Sequence, residues 1–102
     1  MDYVALLRFR PHLSAAERDS ALMRRASYQY PAGAKVIAEY WPAASSVNVV
    51  SIFTADDFST VLELILEWGD VFEIDVHPAV SAEEGLSMGL EVVGRVPRLR
   101  QG

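Results

Sequence analysis

Cysteine is absent from the 102 residues, which rules out disulfides, a thiolate nucleophile and any Cys-based metal centre. Histidine occurs only as His12 and His77, too few to converge with carboxylates in a His-rich metal site. No apolar run approaches the roughly 20 residues that cross a bilayer. The opening MDYVALLRFRP carries an acid and only a short apolar run, Val4 to Leu7, so it does not read as a signal peptide. No glycine-rich phosphate loop is present, and no serine sits on a glycine-flanked elbow. The expectation is a cytoplasmic protein without metal, cofactor, membrane contact or nucleophilic triad.

Positive charge is missing from the middle of the chain. Residues 36–94 contain eleven carboxylates and no Lys or Arg. Residues 1–35 carry six basic side chains against three acidic ones, and Arg95, Arg98 and Arg100 follow at the end. The net charge of −5 argues against nucleic acid, whose phosphates select a net basic face. The asymmetry instead predicts that the basic N-terminal third packs on acidic neighbours, in the same chain or a partner. The Arg24–Arg25 pair reads as a solvated helix face. Arginine replaces lysine almost throughout (Lys35 is the only lysine) and alanine is common, a pattern of GC-rich bacterial genes.

What the chain does have is apolar surface. Hydrophobic residues make up 51% and mean hydropathy is +0.15, rich for one small domain spanning residues 1–102. Asp2–Arg10 alternates, with Tyr3, Ala5, Leu7 and Phe9 opposed to Val4, Leu6, Arg8 and Arg10, as a strand does. Ser14-Ala-Ala-Glu17 is a capping box opening a helix over Ala15–Tyr28, with Leu22, Met23 and Ala26 turned inward. Lys35–Trp41 and Val47–Thr54 read as a hairpin. Asp56 and Asp57 precede a helix with Phe58, Val61, Leu62, Ile65 and Gly69 on one face. Val71–His77 alternates again, and Ser81-Ala-Glu-Glu84 opens a last helix to about Val93, ended by Gly94 and Pro97. The order is βαββαβ plus a C-terminal helix. The fold class expected is α+β, a ferredoxin-like four-stranded antiparallel sheet.

If Pro42 pairs with Val47, then Val36, Ala38, Tyr40, Val47, Val49, Ser51 and Phe53 share the helix-facing side. The other side presents Val4, Leu6, Ile37, Trp41, Val50 and Ile52, ringed by Arg8, Arg10, Glu39, Glu73, Asp75 and His77. An apolar centre inside a charged rim predicts a homodimer interface. Val4, Leu6, Arg8, Ile37, Glu39, Val50 and Ile52 are its expected members.

Several short motifs then combine: Tyr40-Trp41 at a strand end, Ala55-Asp56-Asp57 at a helix start, Glu67-Trp68-Gly69-Asp70 before a strand, and His77-Pro78-Ala79-Val80 before an acidic helix start. With them the chain resembles the domain-of-unknown-function family 3303, within the dimeric α+β barrel superfamily, over most of residues 3–85. Pro42 and Thr54 depart from the pattern, which commonly has a polar residue and an acid there. The resemblance implies a ferredoxin-like subunit, a dimer, and a pocket on the helix-facing side. It implies no activity.

Three functional expectations follow. The first is a small homodimer with a structural or small-ligand-binding role, in which Tyr40, Trp41, Ser51 and Tyr3 are ligand contacts. The second is a cofactor-independent oxygenase or isomerase for a small apolar or aromatic molecule, with His77 and Asp75 as the acid–base pair. The third is a protein-interaction module using the acidic second helix or the basic tail. The helix-facing side is expected to hold no titratable base, which favours the first.

Overall fold

A computed structural model describes the backbone of residues 1–100 and the side chains of residues 1–98. The chain runs β1 (Asp2–Phe9), α1 (Ala15–Ala26), β2 (Ala34–Tyr40), β3 (Val49–Ala55), α2 (Phe58–Trp68), β4 (Phe72–Ala79), α3 (Ala82–Arg95) and α4 (Pro97–Arg100). The strands form one antiparallel sheet in the order β2-β3-β1-β4, the ferredoxin-like arrangement. No helix among the described residues is long and apolar enough to cross a membrane.

Local chemistry explains the element ends. Ser14 and Glu17 close a reciprocal capping box on α1, at 3.1 and 3.0 Å, satisfying donors that the first turn leaves open. Asp57 caps α2 by accepting from the Thr60 amide at 3.1 Å, and Ser81 caps α3 through the Glu84 amide. Pro78 falls within β4, which an edge strand tolerates because a missing N–H on the outer side breaks no ladder. Gly94 does not end α3. The helix continues to Arg95, and Pro97 opens α4, the first helical position where proline fits.

One face of the sheet carries Ala5, Leu7, Val49, Phe53 and Phe72, packed under Val61, Leu64 and Trp68 of α2. Tyr3 stacks on Phe53 and Phe9 on Phe72, at ring distances of 5.7 and 5.2 Å. The buried side of α2 is rotated from the expected one: Thr60, Val61, Leu64 and Trp68 are buried, whereas Phe58 is 62% exposed. In α1, Met23 is 72% exposed and Ala26 lies outside, while Ala21 and Arg25 are buried. In both helices apolar residues occupy several phases, so the choice of buried stripe rests on what the sheet offers opposite.

The basic N-terminal third packs on acidic partners in its own chain. Arg8 pairs Glu73 at 2.8 Å, Arg24 pairs Asp70 at 2.9 Å and Arg25 pairs Glu39 at 2.6 Å. Arg10 Nε also donates to the Gly69 carbonyl at 2.6 Å, and Arg24 Nη2 to that of Glu67 at 2.7 Å. These two arginines sit at the C-terminus of α2, where unpaired carbonyls and the helix dipole favour cations.

Candidate functional site

A β-bulge decides what the helix-facing side contains. Val36 pairs with Phe53, but Ala38 pairs with Ile52, so Ile37 is an extra residue on β2. Because side chains alternate, one extra residue reverses the faces of everything beyond it. Glu39 thereby stands opposite Ser51 and Tyr40 opposite Val50. The expected placements of these two residues are interchanged: Glu39 leaves the outer face for the helix side, and Tyr40 turns outward, 67% exposed. Ala38 also turns outward, and Ile37 belongs to the bulge rather than to the regular outer row.

Glu39 meets Arg25, whose side chain is 3% exposed. Arg25 Nε donates to Oε2 at 3.1 Å and Nη2 to Oε1 at 2.6 Å, the bidentate geometry in which a guanidinium and a carboxylate match best. Arg25 Nη2 also donates to the Tyr30 hydroxyl at 2.6 Å. That hydroxyl is within reach of Glu39 Oε1 at 2.9 Å and makes a short hydrogen bond with Ser51 Oγ. Tyr30 has one proton and two lone pairs. Donating to Glu39 while accepting from Arg25 and Ser51 uses all three. Trp41 Nε1 completes the carboxylate shell from outside, 3.0 Å from Glu39 Oε2.

Aromatic rings surround the same guanidinium. Arg25 Cζ lies 5.1, 5.3 and 5.0 Å from the rings of Tyr28, Tyr30 and Trp68, within cation–π range. Arg24 covers Trp68 at 4.2 Å. Trp68 is buried and its Nε1 has no hydrogen-bond partner of good geometry. The Tyr28 hydroxyl is its neighbour, near enough to oppose slightly the burial that raises that phenol's pKa.

Electrostatics follow from this packing. Burial pushes the Tyr30 phenol up to about 12, against the opposing pull of Ser51 and Arg25. Burial also works to raise Glu39, but hydrogen bonds from Arg25, Trp41 and Tyr30 with the Arg25 charge outweigh it and hold the carboxyl below its ordinary range. The network is therefore an ion pair of zero net charge, and neither shift moves a group toward neutrality.

Beside the network is a cavity of about 20 Å³, bounded by Arg25, Tyr30 and Ser51 on one side and by apolar walls that include Leu64, Trp68 and Ile74. Its floor has a simple cause. The sheet row beneath it runs Glu39–Ser51–Ala5–Val76, and the small side chains of Ser51 and Ala5 leave the space open. The volume accommodates about one water molecule.

The sequence-predicted contacts divide accordingly. Ser51 is in the network, Trp41 touches it from outside, Tyr3 lies on the same face stacked on Phe53, and Tyr40 is on the opposite face. The outer face has rows His77–Val4–Ile52–Ala38 and Asp75–Leu6–Val50–Tyr40. His77 and Asp75 are exposed there, at the sheet edge opposite Tyr40 and separated from it by three strand spacings, about 14 Å. They are not brought together with Tyr40. Val4, Leu6, Val50 and Ile52 do share the outer face, with the Arg8–Glu73 pair at its rim.

Arg25 and Tyr30 were not singled out as site residues from the sequence, and Glu39 was expected on the outer face, at the rim of a dimer interface, rather than beside them. One signal was available for Arg25, which lies four residues after Ala21 and so on the same helix stripe. Glu39 had none, since period-2 alternation cannot register a bulge.

A family model described as Domain of unknown function (DUF3303) matches residues 1–98. The chain belongs to this family. No curated protein is significantly similar to it.

Proposed function

We propose that this DUF3303 chain is a small-ligand-binding module that acts as a homodimer. The ligand would be small, uncharged and largely apolar, with one polar group directed to the Arg25–Tyr30–Ser51 edge of the cavity. The observation that carries this reading is the charge-neutral network bordering an apolar space, in which Arg25 Nη1 makes no hydrogen bond among the described residues. Its internal ion pair disfavours a charged guest, and the small floor residues Ala5 and Ser51 leave a gap of about one water beside it from which a larger space could open. With space for only about one water, binding requires α2 to move away from the sheet. Catalysis is the weaker reading because Tyr40 lies across the outer face from the His77 and Asp75 pair.

The dimer rests on that outer face. Val4, Leu6, Val50 and Ile52 form its centre, and Ile37 at the bulge and Tyr40 at its β2 side are 55% and 67% exposed. Burying such side chains stabilises by roughly 1.5–3 kcal/mol each, and face-to-face sheets about a two-fold axis bury them together. This is the dimeric α+β barrel assembly.

Native mass spectrometry of freshly isolated protein, together with amide NMR titration by phenol and indole, tests the ligand reading. A retained small molecule, or saturable shifts centred on Ser51, Leu64 and Trp68, is expected. Absence of both overturns it. Light scattering at micromolar concentration checks the dimer, and a species of only 11.3 kDa refutes it.

A further inference from the structure

Helix α3 buries none of its residues, although Leu86, Met88, Leu90, Val92 and Val93 stand between 41% and 69% exposed. Among the described residues it packs closely on nothing but the short α4 that follows it. The chain is correspondingly extended, with a radius of gyration of 17.2 Å and a longest dimension of 58 Å, where a compact chain of this length has a radius near 13 Å. At 100° per residue the apolar side chains occupy a broad continuous arc, from Met88 through Val92 and Val93 to Leu86 and Leu90, while Glu83, Glu84, Ser87, Glu91 and Arg95 take the remainder. That arc amounts to on the order of 500 Å², the size of the largest apolar patch a monomer normally shows.

We propose that α3 pairs with the α3 of a second copy, antiparallel about a two-fold axis that passes near Gly89 and Leu90. Two faces of this size bury on the order of 1,000 Å² in total, the threshold for a specific interface. The charges fit this arrangement. Glu84 and Arg95 are eleven residues apart, just over three full turns, so they lie on the same flank of the apolar arc about 16 Å from each other. In an antiparallel pair like flanks face one another, and an axis midway between these residues sets Glu84 of each helix beside Arg95 of the other. Neither residue takes part in an ion pair within the chain, among the described residues. A parallel pair would instead put the two Glu84–Arg95 flanks on opposite sides of the interface, where Glu84 of one helix cannot reach Arg95 of the other. At the axis, a side chain added at Gly89 meets nothing within 4 Å in its own chain, so another helix can approach closely there. This pairing is independent of both the cavity and the outer sheet face.

The cysteine-free chain makes the test direct. Gly89→Cys places a unique thiol at the proposed axis, and Ser87→Cys places one on the polar side of the same helix. Under mild oxidation, Gly89→Cys is expected to form the disulfide-linked dimer at least tenfold faster than Ser87→Cys, since only a thiol at the axis meets its own copy within bonding distance. Glu84→Arg or Arg95→Glu, each added to Gly89→Cys, should slow the reaction about tenfold, and the two together should restore it. Restoration separates pairing from helix stability, because both reversals oppose the helix dipole and leave the double variant no better as an isolated helix. Circular dichroism confirms that helix content is kept, and Leu90→Glu should abolish the cross-link. Equal rates at positions 87 and 89, or a double reversal no faster than either single one, overturn the pairing whatever becomes of the sheet-face dimer and the ligand site.

Discussion

Replacing Glu39 by Gln removes one charge from the Arg25–Glu39 pair while keeping nearly the same shape. Arg25 then keeps its charge with its side chain 3% exposed and no anion to offset the lost hydration. Breaking a buried pair in this way costs about 3–5 kcal/mol. Contacts of Arg25 with Tyr30 and three aromatic faces survive the change, so the lower end, about 3 kcal/mol, is expected. That is a large part of the 5–15 kcal/mol by which domains of this size are typically stable. Urea unfolding followed by tryptophan fluorescence should show the midpoint falling by about 2 M if m is near 1.5 kcal/mol/M, and the melting temperature falling by about 12–20 °C.

The companion variant Arg25→Met with Glu39→Met removes both charges and should lie much closer to the parent, within about 1 kcal/mol, because no buried charge is left unpaired. The pH dependence adds a second arm. The folded pKa of Glu39 is depressed below the ordinary 4.5, so its contribution is present above that pH and is lost as pH falls through the folded value. Parent protein should therefore lose more stability on acidification than Glu39→Gln, with other carboxylates common to both. A single variant within about 1 kcal/mol of the parent, or a double variant as unstable as the single, would refute the view that burial makes this pair matter.

Spectrophotometric titration of the phenols should reveal a step near pH 12 that disappears in Tyr30→Phe. Since the folded pKa of Tyr30 lies above the ordinary 10.0, its contribution to stability is complete below pH 10 and is lost as pH rises toward 12, so alkaline unfolding of Tyr30→Phe should show a weaker pH dependence. Gly33→Ala would bring a Cβ to 2.6 Å from Thr60 Oγ1. Because Thr60 is buried and tied to Asp57, the change should cost about 1–2 kcal/mol in urea unfolding. Asp57→Ala removes the α2 cap and should cost about 1 kcal/mol by the same assay.

The element order, the caps at Ser14, Asp57 and Ser81, and the division of β1 and β4 into a helix face and an outer face are legible in the sequence. Each depends on neighbours a few residues away, and alternation or a capping side chain reports it directly. The packing of the basic N-terminal third on acidic partners was also legible, because uneven charge must be neutralised somewhere. The site itself was decided by tertiary structure. One extra residue at Ile37 turns Glu39 inward without leaving any mark on the apolar pattern. Arg25 is buried only because a carboxylate from another element and three aromatic rings meet it there, and a charge read alone belongs in water. The exposed arc of α3 is the converse case. Its amphipathic pattern was plain in the sequence, but whether a face has a partner within its own chain is a property of the folded molecule, since it depends on where the rest of the chain ends up.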